Sequence, residues 1–246
     1  LHKAIRRQRQ MCIRDRFEAS DTLGGEFLLA GEAPGKAEMK AAAFEMAEQV
    51  EKLVKVYKNT KVDAQMLKDA DVDAVILAIG SSPITIKLEG MDKLQHASAP
   101  EVLRHEVCPK GKVAVIGGGL VGLETADTLA TDGCDVTVLE MKDEIGSDLG
   151  SLRKIAVMMK LQQMQVKMLP NSKVCKFTEE GIVLEDETLV PCNCAVFAVG
   201  FASNDSHLLV EECEKRQIPC RVIGDAKSAR RALDAIAEGF EAARTL

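Results

Sequence analysis

Gly117-Gly-Gly-Leu-Val-Gly122 stands between an apolar run, Lys112-Val-Ala-Val-Ile116, and a helical run from Leu123 to Thr131, and Glu140 closes the next apolar run 18 residues after the last glycine. A buried strand that turns through glycines straight into a helix leaves the first helical N–H groups without internal partners, and the helix dipole favours negative charge at the same point. That chemistry suits a pyrophosphate. Gly117 permits the tight turn, Gly119 lets the backbone approach the phosphates, and Gly122 lets the helix pack closely on the sheet. Gly118, Leu120 and Val121 complete the loop. Glu140 can accept both ribose hydroxyls of NAD, whereas a 2′-phosphate about 4 Å away would be repelled by on the order of 4 kcal/mol. Lys142 would return only about 1 kcal/mol or less at an exposed position. The set points to a dinucleotide site with NAD(H) favoured over NADP(H). A ligand-free glycine turn and a solvated strand-end acid are the alternatives.

Glu140 also opens a pattern, E-x-x-D-x-[LI]-G, that occurs a second time at Glu18-Ala-Ser-Asp-Thr-Leu-Gly24, an offset of 122 residues. Gly80 follows the apolar run Val72–Ile79, and Gly200 follows Cys194–Val199, an offset of 120. Two nearly equal offsets imply an internal duplication. On that register the counterpart of Gly117–Gly122 falls just before residue 1.

Apolar periodicity supplies the elements that would position these residues. Met39, Ala43, Met46, Val50, Leu53 and Tyr57 predict an amphipathic helix over 36–57. Val72–Ile79 reads as a parallel strand buried on both faces. Strands follow at 112–116, 135–139, 194–199 and 221–225, helices at 147–164 and 230–246, and short antiparallel strands over 172–190 with a turn at Glu180-Gly181.

Composition narrows the function classes. Net charge is −6, yet residues 1–16 hold six basic side chains and one acid, which leaves 26 basic and 37 acidic residues in 17–246, or −11. So acidic a body argues against nucleic acid or an anionic membrane as partner. The basic head has no aromatic residue for base stacking and is read as a segment foreign to the fold. No apolar run approaches membrane length and no signal segment opens the chain, which implies a cytoplasmic protein. It begins with Leu rather than Met and so reads as truncated.

The eight cysteines include no C-x-x-C pair, which counts against a redox disulfide or a zinc ribbon. Cys192 and Cys194 are read as two small buried residues. The four histidines are scattered, Gly31–Lys36 lacks the spacing of a P-loop, and no metal site is expected.

The order LGG-x-x-L-L-A, APGK, DAVILAIG-x-x-P, VAVIGGGLVGLE-T-A, VTVLEM, IG-x-D-L-G, FAVG, VIGDA and RRALDAIAEGFEAA, from about Phe17 to the end, resembles the C-terminal half of the old-yellow-enzyme-related NADH:flavin oxidoreductases, the family of 2,4-dienoyl-CoA and enoate reductases. The resemblance implies an α/β chain of two Rossmann-like nucleotide-binding domains, pyridine-nucleotide-disulfide-oxidoreductase-like, with the NAD(H) domain (108–195) inserted in an incomplete FAD domain (17–107 and 196–246). It implies that Glu18 holds the adenosine ribose of FAD, that Gly24 and Gly25 pass close to that cofactor, and that Asp225, after Gly224, binds the ribityl chain, unless it is an ordinary helix N-cap. Glu124 would approach the nicotinamide or be an exposed helix glutamate. The implied reaction is hydride transfer from nicotinamide to flavin, which needs two stacked rings more than a side-chain acid or base, so no catalytic residue is nominated. Full-length relatives add an N-terminal barrel with FMN and an iron–sulfur cluster, neither of which is expected in this chain. The reading is the electron-input half of an enoate-reductase-like flavoenzyme. The alternative is a truncated nucleotide-binding module that binds NAD(H) without turnover; a stand-alone disulfide reductase is disfavoured by the cysteine pattern.

Overall fold

The computed structural model describes residues 14–246, and the chain passes back and forth between two units, one of residues 14–31, 38–80 and 203–246, the other of 32–37 and 81–202. In chain order the elements are β1 (Asp15–Phe17), α1 (Gly25–Ala30), α2 (Ala37–Leu53), β2 (Lys55–Tyr57), α3 (Ala64–Asp69), β3 (Val75–Leu77), β4 (Ser81–Pro83), β5 (Gln95–Ser98) and α4 (Ala99–Leu103). There follow β6 (Lys112–Ile116), α5 (Leu120–Thr131), β7 (Asp135–Leu139), α6 (Ser151–Gln163), β8 (Lys167–Leu169), β9 (Val174–Thr178), β10 (Gly181–Leu184) and β11 (Leu189–Pro191). The chain closes with β12 (Cys194–Phe197), β13 (Phe201–Ser203), α7 (His207–Lys215), β14 (Cys220–Val222) and α8 (Ala232–Thr245).

The second unit is built on a five-stranded parallel sheet in the order β5-β12-β6-β7-β8. Its central strands β12 and β6 are almost continuously buried and apolar because both faces are covered. Val113 and Val115 point to one side with Leu123, Ala126 and Leu129 of α5 and Leu161 of α6. Ala114 and Ile116 point to the other, against Phe177, Ile182, Leu184 and Val190 of the antiparallel sheet β11-β10-β9. Each such Val, Leu or Ile contributes about 1.5–3 kcal/mol by leaving water. Cys192 and Cys194 lie in this core, and burial pushes both thiols up to about 11. Apolar periodicity predicted neither β5 nor α4. Ser98 caps α4 in a reciprocal box with Glu101, whose side chain takes the Ser98 amide at 2.7 Å. Because β5 pairs with β12, this sheet reaches back to residue 95, ahead of the expected domain boundary at 108.

The first unit holds two separate parallel pairs, β1-β2 and β14-β3. The duplication aligns β1 with β7 and β3 with β12, so these pairs correspond to the flanks of the second unit's sheet, and among the described residues no strand joins β3 to β1. The physical consequence appears in β3. Only Val75–Leu77 form the strand, and Ile76 and Ile79 are 43% and 38% exposed, so the expected two-faced burial of Val72–Ile79 is not found. A strand with a neighbour on one edge alone cannot be covered as a central strand is.

Two other differences are local. The helix expected over 36–57 ends at Leu53, and Lys55–Tyr57 pairs with β1 instead; Tyr57 meets the helical period but stacks on Phe17, ring centroids 4.8 Å apart. Strand β1 begins at Asp15 and so takes two residues from the basic segment 1–16, since an exposed strand pairs through its backbone whatever its side chains. The rest of that segment up to residue 13 lies outside the described residues. No helix among the described residues is long and apolar enough to cross a membrane.

Candidate functional site

At the end of β6 the chain turns through Gly117 into α5, with Gly119 as the residue before the first helical turn. Two of the glycines are sterically fixed. Gly117 has φ +111°, and a Cβ there would meet the Ala198 carbonyl at 2.4 Å; a Cβ on Gly122 would come within 1.9 Å of the Gly117 carbonyl. Gly119 is different: its φ is ordinary, and an added Cβ would meet nothing but the Asp148 carboxylate at 3.2 Å. The backbone around Gly119 needs no glycine, so the room it leaves lies on the face where a ligand would approach.

Glu140 is positioned by backbone bonds to β8 and to the segment after it. Its N–H donates to Leu169 O (3.0 Å) and its carbonyl accepts from Ser172 (2.7 Å). The carboxylate then spans to the loop: Oε2 accepts the Gly118 N–H at 2.7 Å and Oε1 the Lys142 N–H at 3.0 Å. Gly146 N–H closes the arrangement on the Gly118 carbonyl at 2.7 Å. Gly117–Gly122 and Glu140 are therefore brought together, with Val121 packed on the core beneath the loop. The helix N-terminus itself has an anion on it. Both Asp148 oxygens accept from Leu120 N–H, at 3.1 and 3.0 Å. A carboxylate thus sits at the helix N-terminus, and the loop residues fit a dinucleotide.

Glu124 lies one turn into α5 with its side chain 13% exposed, paired with Lys36 and with Arg153 Nη2 at 2.8 Å. It is not the free surface glutamate of the alternative reading. Lys36, Asp148 and Arg153 were missed as site residues, although Lys36 belongs to APGK and Asp148 to IG-x-D-L-G, where the second motif gave an acid next to the loop.

The expected FAD residues are dispersed, Gly200 in the second unit and the rest in the first. Glu18 Oε1 accepts from Ser20 N (3.1 Å) and Ser20 Oγ (3.0 Å), and Oε2 faces Arg16 at 3.8 Å. Gly24 (φ +126°) precedes α1, which starts at Gly25. Gly80 and Gly200 turn the chain after β3 and after β12, Gly80 accepting from Asn204 N and Gly200 from Ile84 N. Gly224 donates to Glu238 Oε2 at 2.8 Å, and Asp225 accepts from Arg230 N at 3.1 Å. Asp225 sits in a one-turn 3-10 segment, Gly224–Ala226, whereas α8 begins at Ala232, so it is not that helix's N-cap. The Arg230 guanidinium, then the Gly224 amide, hold Glu238 down at about 2. In the first unit the resemblance assigns Glu18 and Asp225 to the adenosine ribose and the ribityl chain of a flavin nucleotide. Among the described residues no glycine loop at a strand end in this unit presents amides to its phosphates.

Comparison with known proteins follows the same lines. Residues 11–225 match the family model described as pyridine nucleotide-disulphide oxidoreductase. A bilirubin reductase from Mediterraneibacter gnavus is 34% identical over 238 residues, covering 94% of this chain and 36% of that protein. An NADH oxidase from Thermoanaerobacter brockii is 30% identical, covering 92% and 36%. A cinnamate reductase from Clostridium sporogenes is 34% identical, covering 78% and 29%. The chain thus spans about a third of the length of these curated relatives. Among solved structures, a 2-naphthoyl-CoA reductase complexed with 2-naphthoyl-CoA superposes with TM-score 0.86 at 24% identity, over 94% of this chain and 36% of the other. A water-forming NADH oxidase from Lactobacillus brevis bound to NADH gives 0.70 at 17% identity, over 99% and 66%; both establish the fold. The resemblance to the reductase portion of the old-yellow-enzyme-related reductases holds, with FAD and NAD(H) as the cofactors of the fold, and the chain belongs to the pyridine nucleotide-disulphide oxidoreductase family.

Proposed function

We propose that the chain binds NAD(H) through Gly117–Gly122 and Glu140, and that it is the electron-input part of a larger flavin-dependent reductase of the enoate and 2,4-dienoyl-CoA type. The observation that carries this reading is the 2.7 Å bond from Gly118 N–H to Glu140. It locks the ribose-binding acid to the phosphate-binding loop, so the two ends of an adenosine diphosphate are recognised by one rigid unit. The same carboxylate disfavours a 2′-phosphate. Bound here, the two cofactors would supply the hydride donor and the hydride acceptor. The chain's own contribution is placement, with Glu124 held in one position by Lys36 and Arg153.

Glu18, Gly24, Gly25, Gly80, Gly200, Gly224 and Asp225 are the residues we assign to the flavin side. Since the chain spans about a third of its relatives, FMN, an iron–sulfur centre and the substrate site are assigned to a barrel partner beyond these residues. A second reading, a nucleotide-binding module without turnover, is favoured by the two unjoined strand pairs of the first unit. The experiment that separates them is NADH oxidation by the purified chain with an artificial acceptor, with and without added FAD. NADH binding with FAD-dependent turnover supports the first reading; binding without turnover at any FAD concentration supports the second. We expect the chain to purify with less than stoichiometric FAD, and a yellow protein with one FAD per chain would overturn that expectation.

A further inference from the structure

Resting on the reading of Gly117–Gly122 as the NAD(H) loop, we propose that Asp148 is a built-in stand-in for the dinucleotide's pyrophosphate, a carboxylate that caps α5 when the site is empty and must leave for NAD(H) to bind. Helix α5 has no cap of its own, because Gly119 has no side chain to offer its first amides. Asp148 supplies one from 28 residues away, with both oxygens on Leu120 N–H at 3.1 and 3.0 Å. The same amide, at the N-terminus of a helix behind a glycine loop, is among those that hold a dinucleotide phosphate. One anion excludes the other, by occupancy of the donor and by like charge.

The surroundings suit a displaceable group. Asp148 is exposed, and the backbone two residues before it is anchored by Gly146 N–H on the Gly118 carbonyl. The segment is thereby moored to the loop while the side chain remains near the surface. Gly119 is the only one of the four loop glycines whose added Cβ would touch nothing but this carboxylate, so the space it keeps open is the space the two anions compete for. On binding, Asp148 yields the Leu120 amide; on release it recaps the helix, which keeps α5 intact in the empty site and lowers the affinity for NAD(H).

The test compares the wild-type chain with D148A and D148N by NADH fluorescence titration and by thermal melting. An interaction of this kind, charged and partly exposed, shifts affinity by about tenfold when removed. We expect D148A to bind NADH about tenfold tighter than wild type while melting lower without ligand, and D148N, which keeps a neutral acceptor, to lie between. A purely structural role would lower both affinity and melting temperature. If D148A or D148N folds and binds NADH no tighter than wild type, the stand-in role is wrong while the NAD(H) reading stands. If wild type and both variants all fail to bind NADH, the NAD(H) reading itself falls, and the stand-in role with it.

Discussion

The two copies of E-x-x-D-x-[LI]-G have nearly the same local structure and different surroundings. Glu18 N–H donates to Tyr57 O and Glu140 N–H to Leu169 O; Thr60 N–H meets Glu18 O, and Ser172 N–H meets Glu140 O. Asn59 N–H reaches Ser20 O and Asn171 N–H reaches Lys142 O, with both asparagines in the left-handed region at φ +53°. Even the carboxylates agree, since each accepts from the N–H two residues on, Ser20 at 3.1 Å and Lys142 at 3.0 Å. They part at the second oxygen. Glu140 Oε2 holds the amide of a glycine loop, and Glu18 Oε2 faces Arg16. The local setting of the acid is thus a property of a strand and its neighbour, while its contact with a glycine loop also needs the strand and loop alongside.

The largest way to break this comparison is Gly122→Ala. A methyl group 1.9 Å from the Gly117 carbonyl forces the loop off α5. It should cost on the order of 3 kcal/mol of second-unit stability and abolish NADH binding, read by melting and titration; Gly25→Ala in the first copy, where a Cβ meets nothing within 4 Å, should leave NADH binding untouched. Next is the acid itself. Glu140→Gln should weaken NADH binding by about tenfold, as a charge-assisted interaction is lost, and narrow the preference over NADPH, whereas Glu18→Gln should change neither. Equal effects from the two would erase the distinction.

The left-handed asparagines test the likeness rather than the difference. Asn59→Ala and Asn171→Ala should each cost about 1 kcal/mol by placing a Cβ-bearing residue without a local polar partner at positive φ, and the two costs should agree. A smaller effect is expected at Glu238, the carboxylate that holds the Gly224 amide in the first unit as Glu140 holds Gly118 in the second. Its pKa is lowered to about 2, so its contribution is full above the ordinary carboxylate value and is lost as pH falls through about 2. Glu238→Gln should therefore lower the melting temperature slightly at pH 7, and the gap to wild type should close toward pH 2.

Much of this was legible in the sequence. Gly117-x-Gly119-x-x-Gly122 between apolar runs, with Glu140 beyond, predicted a loop and acid that the structure does bring together, because strand, turn and helix are local and their spacing fixes where they point. The duplication was legible from its offsets, but its Asn59 and Asn171 half was not, since those residues sit 112 apart and share only one identical side chain. Strand β5 was invisible because Gln95-His-Ala-Ser98 has no apolar alternation; it is a strand because β12 has a free edge.

The sequence by itself determined the α/β class, the glycine loop between strand and helix, and the burial of Cys192 and Cys194, all consequences of residue type at short range. Only the tertiary structure decided that Glu140 bonds to Gly118, that Lys36 and Arg153 converge on Glu124, and that Asp148 caps α5. Those contacts join residues 22 to 88 positions apart. No periodicity encodes such a meeting; it is set by which strands pair and which helix ends they bring together.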